Sequence, residues 1–134
     1  MMASSFILFI VWKMITNKFC EWLKLLNSVA VIPDNIIALY FGLYEGETDY
    51  IIYLIGSELY DENNDDWACN IDYEPKLNNI PLCPVQEMGW LKVEEEVILT
   101  LKEYLQNIHP NTTSFFRRKI ICVGFDDGNL IRVQ

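Results

Sequence analysis

The sequence predicts an α+β fold: an antiparallel sheet of four to five strands with two helices packed on one face. Three observations predict it. An apolar stripe at helical spacing runs from Trp90 to Ile108. Two β-prone runs, Ile36–Tyr44 and Tyr50–Ile55, flank a short loop containing Gly46. Asp126-Asp127-Gly128-Asn129 is a strong turn signal between two further apolar runs. Hairpins make their strands antiparallel, and amphipathic helices need a sheet face to cover.

Taken in order, the first helix is expected over residues 17–28. Thr16 or Asn17 can cap it; Phe19, Cys20, Trp22, Leu23 and Leu26 share one side, with Lys18, Glu21 and Lys24 on the other. Pro33-Asp34 breaks the chain before the first hairpin. The run from Asp49 to Ile55 lacks clean alternation, which places it in the middle of the sheet with both faces at least partly covered. After the polar stretch Tyr60–Asp66, the segment Trp67–Tyr73 is a candidate third strand. Residues 75–89 contain Pro75, Pro81, Pro84 and Gly89 and read as an irregular connection. In the long helix, Trp90, Leu91, Val93, Val97, Ile98, Leu101, Tyr104, Leu105 and Ile108 form the stripe, and Lys92, Glu95, Glu96, Lys102 and Glu103 lie outside it. His109-Pro110 ends that helix. Arg118–Phe125 and Leu130–Gln134 are the last two strands.

A chain of 134 residues fits one domain, residues 1–134, large enough to bury a core without staples. Its 51% hydrophobic and 13% aromatic content is that of a folded chain. Met14 offers an alternative start that would make residues 1–13 an upstream extension. The apolar run Phe6–Trp12 is too short to span a bilayer, which takes roughly 20 residues, and no basic segment precedes it as in a signal peptide. If folded, it is a buried strand or a helix extension. The four cysteines, Cys20, Cys69, Cys83 and Cys122, are widely spaced without a C-x-x-C pair and read as reduced, fitting the cytoplasm.

Catalytic signatures are sparse. The single histidine, His109, precedes Pro110 at a helix end and has no recognisable nucleophile or orienting partner. No Cys/His cluster suits zinc, and no glycine-rich phosphate loop is present. Asp61, Asn63, Asp65 and Asp72 fall in an EF-hand-like register. That register has Asp66 where the turn needs glycine and an Asp at its last position instead of a bidentate Glu. No enzyme activity, cofactor or metal is therefore expected. Asn111-Thr112-Thr113 matches a glycosylation sequon and reads as a loop.

Charge is the informative property. Nineteen acidic residues face ten basic ones, a net charge of −9. That field disfavours nucleic acid and anionic membranes and favours cationic partners. From Leu25 to Pro75 there is no Lys or Arg, while the same window carries eleven acids, among them Glu45, Glu47, Asp49, Asp61, Asp65 and Asp66. Trp67, Tyr60 and Tyr73 interleave with them, and aromatics supply the contact area that makes a steering field into an interface. Glu47, Asp49, Asp61, Asp65, Asp66 and Trp67 are the candidate protein-binding residues. Arg117-Arg118-Lys119 is the basic cluster.

Tyr53-Leu54-Ile55-Gly56-Ser57, then Tyr60-Asp61 and Asp65-Asp66-Trp67-Ala68-Cys69, and the late Val123–Leu130 hairpin carry a resemblance. Over about residues 36–134 the chain resembles small bacterial immunity proteins encoded beside polymorphic toxins, including those near SUKH-type immunity genes. The resemblance implies a cytoplasmic protein that binds and blocks a toxin, often a nuclease. Nuclease toxins carry basic surfaces for phosphate, so an acidic inhibitor would occupy the substrate path. Interfaces of this kind vary between pairs, so the resemblance transfers no binding residue. The alternative is a small structural or adaptor subunit that packs through its apolar surface and residues 6–12. A third reading, a minor enzyme with paired carboxylates, would require a deep pocket with converging acids.

Overall fold

Strand pleating turns successive side chains to opposite faces, and in this protein both faces are covered. The computed structural model describes residues 5–29, 31–107 and 116–134. The elements are α1 (Ser5–Val29), β1 (Ala38–Glu45), β2 (Asp49–Ser57), β3 (Ile80–Pro84), α2 (Trp90–Gln106), β4 (Ile120–Phe125) and β5 (Ile131–Arg132), with short 3-10 turns at Asp65–Cys69 and Val85–Glu87. The strands form one sheet in the order β3-β2-β1-β4-β5. The expected α+β architecture with two helices is present, and His109 and Asn111-Thr112-Thr113 lie outside the described residues.

One face carries the main core. Leu39, Phe41 and Leu43 of β1, Tyr50, Ile52 and Leu54 of β2, and Ile121, Val123 and Phe125 of β4 lie in one buried cluster. Val11, Ile15, Phe19, Trp22, Leu23 and Leu26 of α1 join them, as do Val93, Val97 and Leu101 of α2. Phe41 sits at its centre, with Phe19 and Trp22 edge-on to it at 5.7 and 5.9 Å between ring centroids. The opposite face holds a smaller cluster of Ala38, Tyr40, Ile55, Cys122 and Trp67. This double coverage is why β2 lacks clean alternation in its sequence.

Several expectations change in detail. The first helix begins at Ser5, so the run 6–12 is a helix extension and Thr16 lies inside the helix. Its hydroxyl donates to the Trp12 carbonyl one turn back, at 3.0 Å. The ladder is antiparallel except that β1 and β4 run parallel, Ala38 beside Ile120 through Leu43 beside Phe125. A parallel neighbour needs a long crossover, and α2 supplies it.

The third strand is not 67–73 but Ile80–Pro84, inside the segment expected to be irregular. Its prolines are tolerated because β3 is an edge strand, where a missing N–H costs no ladder bond. Beyond β3 the rim of β2 is closed piecemeal. The Asn78 side-chain amide exchanges two hydrogen bonds with the backbone of Leu54, at 2.8 and 2.9 Å, and Tyr73 pairs with Gly56. At 65–69 the local Asx bonds prevail over strand propensity: Asn64 Oδ1 accepts from the Asp66 N–H at 2.9 Å and caps the 3-10 turn.

The four cysteines are free, Cys83 and Cys122 being buried on opposite faces. Burial pushes both thiols up to about 11 from an ordinary 9.0. Between pH 9 and 11 the unfolded chain releases these protons while the folded one keeps them. Folding stability is therefore full below pH 9 and falls as pH rises through 11. Urea midpoints measured across this range should decline, and Cys122→Ala should flatten the decline. Phe41→Ala should cost about 3–5 kcal/mol by the same measurement.

Candidate protein-binding surface

The parallel pairing decides how the acidic loops are grouped. Because β1 and β4 point the same way, the β1–β2 loop and the turn after β4 lie at the same end of the sheet. The Asp126 N–H donates to the Leu43 carbonyl at 3.0 Å, which ties the two together. The α2 start joins them there: Trp90 stacks edge-on against Phe125 at 5.6 Å, and the Tyr50 hydroxyl donates to the Met88 carbonyl at 2.8 Å. Between them lies a crevice of about 540 Å³ lined by Leu43, Tyr44, Glu45, Trp90, Phe125, Asp126, Asp127 and Gly128. Trp90 is 51% exposed and forms its apolar wall.

A hydrogen-bond network on the second face fixes the crevice floor. The Tyr53 hydroxyl donates to Asp126 Oδ1, and the Tyr40 hydroxyl donates to the Gly124 carbonyl at 3.0 Å and more weakly to the same carboxylate. Burial first, and then the neighbouring Asp126 carboxylate, hold both tyrosines well above the usual phenol range. They remain donors at neutral pH, and their hydroxyls hold the Asp126 side chain in place. Room for the Tyr53 ring comes from Gly42 directly across the ladder, since any Cβ there would collide with it. On α2, burial raises the pKa of Glu94, an effect only partly offset by a backbone hydrogen bond from Phe125.

The six sequence-derived candidates divide into two groups. Glu47 is exposed in the hairpin connection and Asp49, half-buried, opens β2, both at the crevice end. Asp61, Asp65 and Asp66 are exposed on the segment that crosses the second face. Trp67 is corrected: at 5% exposure it is the plug of the second core, stacked on Tyr60 at 5.4 Å, and it offers no area to a partner. A large aromatic beside polar residues turned inward because the strand face beneath it was otherwise uncovered.

The EF-hand-like register is also occupied by internal bonds. Asp61 Oδ1 accepts from the Asn63 N–H at 2.9 Å, Asp65 Oδ2 from the Leu130 N–H at 3.2 Å, and Asp72 Oδ2 from the Glu58 N–H at 2.8 Å. Among the described residues no three His, Cys, Asp or Glu side chains are placed to share a metal ion.

Sequence reading missed Trp90 and the pair Asp126–Asp127 as surface features. Trp90 fits the helical stripe, but it occupies the first helical position after Gly89, where the stripe extends past the core. Asp126 and Asp127 read as turn residues because nothing local reveals a parallel neighbour. Ion pairs among the described residues join Lys92 to Glu95 and Glu96, so the crevice carboxylates are not neutralised by cations. Lys119 of the basic cluster instead donates to the Ile36 carbonyl.

Comparison with known protein families, curated proteins and solved structures finds no match. Fold and surface define an α+β protein with an acidic crevice at one end of a two-sided sheet.

Gly42→Ala should displace the Tyr53 ring, detach its hydroxyl from Asp126 and cost about 1–3 kcal/mol in chemical denaturation. Gly128→Ala, whose added Cβ would meet only ordinary contacts, is the control and should cost less.

Proposed function

We propose that this protein is an acidic protein-binding module of the immunity type, neutralising a basic bacterial toxin, a nuclease, by covering its substrate path. The observation that carries the reading is the crevice. Carboxylates from two places in the chain, Glu45 at the end of β1 and Asp126 and Asp127 in the turn after β4, converge beside an exposed tryptophan and have no cationic partner among the described residues. Such a surface attracts a phosphate-binding groove by its field and holds it through aromatic contact. Glu47 and Asp49 extend the field along the hairpin, and Asp61 and Asp66 extend it over the second face. The likeness of the β2 segment and the late hairpin to toxin-neighbourhood immunity proteins favours a cytoplasmic inhibitor, and no described helix is long and apolar enough to cross a membrane.

The test uses the full chain and a basic nuclease domain encoded beside it. Glu47→Lys with Asp127→Lys should slow association by about 10–100-fold at low ionic strength, with the difference shrinking as salt rises. Asp66→Lys tests the second face without removing the Asp65–Leu130 bond. Stopped-flow rates that ignore both substitutions and salt would remove charge-matched occlusion as the mechanism.

A further inference from the structure

After Ser5, the first two turns of α1 are apolar in every direction. Phe6, Ile7, Leu8, Phe9, Ile10 and Trp12 are 71, 40, 42, 53, 43 and 38% exposed, while Val11 is buried at 3%. At 100° per residue, Phe6, Phe9 and Ile10 point away from the core side defined by Val11, Ile15 and Phe19, and Leu8 points toward it. Leu8 stays exposed nonetheless, so the helix overhangs the body of the protein. A surface helix of a water-soluble domain is expected to carry polar residues on its outer side, and one apolar all round belongs in an apolar medium.

We propose that these two turns insert into one leaflet of an anionic lipid bilayer. The run of seven residues is about 10 Å long, the depth of an interfacial insertion and far short of the roughly 30 Å of a full span. Trp12 ends the run and Lys13 follows it, an indole and an ammonium at headgroup level. Lys13 Nζ lies 5.4 Å from the Phe9 ring centroid, its stem along the apolar surface.

Charge complementarity selects an anionic surface. In a chain of net charge −9, α1 carries Lys13, Lys18 and Lys24 against one acid, Glu21. The second helix, α2, adds Lys102, Glu96 and Glu103 beside Trp12, and Lys13 is the charge next to the apolar run itself. The helix lies on the main-core face of the sheet, whereas Asp61, Asp65 and Asp66 lie on the segment covering the opposite face. Those three acids and the apolar stub are thus separated by the sheet, the crevice acids lie by the opposite end of α2, and the overall negative charge does not forbid contact. A second copy of the chain fits less well. It would cover only the side of the stub facing it, and a stable pair needs about 800 Å² from each partner.

The experiment floats the full chain with vesicles made of equal parts phosphatidylcholine and phosphatidylglycerol. The wild-type chain should float with the vesicles. Phe6→Ser/Phe9→Ser/Ile10→Ser, which alters only outward side chains, should lower the partition coefficient by about 100-fold or more with an unchanged melting curve. Lys13→Glu, which removes no apolar group, should weaken binding to these vesicles by about tenfold and leave binding to pure phosphatidylcholine unaltered. A wild-type chain that remains in the aqueous fraction overturns the proposal, whether it sediments as a monomer or as a dimer that the triple variant dissociates. Flotation undiminished in the triple variant overturns it as well.

Discussion

The position of β1 is the constraint on which the rest of the structure depends. It is paired along its length with β2 on one side and β4 on the other, one antiparallel and one parallel. Its side chains therefore feed both cores: Leu39, Phe41 and Leu43 beneath the helices, Ala38 and Tyr40 beneath the Trp67 plug. The antiparallel neighbour comes from a short hairpin, but the parallel one requires the chain to return to the starting end. The segment containing α2 makes that return, which sets where α2 begins and so where Trp90 stands.

The legible parts of the fold were those encoded locally. The α2 stripe repeats at helical spacing, and the β1–β2 hairpin is bounded by a polar loop with glycine, so both needed only neighbouring residues to be read. The parts that were hidden depend on partners far along the chain. Pro81 and Pro84 disguise β3 because edge placement, which excuses them, is a tertiary fact. Thr16 resembles a helix cap but sits mid-helix, since burial of Val11 and Ile15 against the sheet carries the helix back past it. Trp67 reads as an interface aromatic until the second sheet face is known to need a cover.

The acidic surface shows the same division. Composition reveals that the region from Leu25 to Pro75 is devoid of cations, but it cannot tell structural from available carboxylates. Asp61, Asp65 and Asp72 each accept a backbone N–H and thereby hold a segment that has little regular structure of its own. Their negative charge contributes to the field, but their oxygens are committed to the fold. Asp126 shares this double role, held by the two tyrosine hydroxyls while facing the crevice. Glu45 and Asp127 need no such internal role, and they acquire significance only because β4 brings the second loop alongside the first.

The two proposals draw on opposite ends of α2, which bears on whether both can hold for one molecule. The crevice opens at the end where the β1–β2 loop, the β4–β5 turn and the start of α2 meet. The stub of α1 packs near the other end of α2, where Trp12 shares a shallow depression with Leu99, Lys102, Glu96 and Glu103. A bilayer holding the stub would therefore leave the crevice facing water, open to a diffusing basic partner. The separation also matters electrostatically, because exposed charges further apart than about 8 Å are largely screened at physiological salt. A net charge of −9 counted over the whole chain consequently overstates what either surface experiences. Each is governed by the charges within its own neighbourhood, Lys13 and Lys102 with Glu96 and Glu103 around the base of the stub, and carboxylates around the crevice.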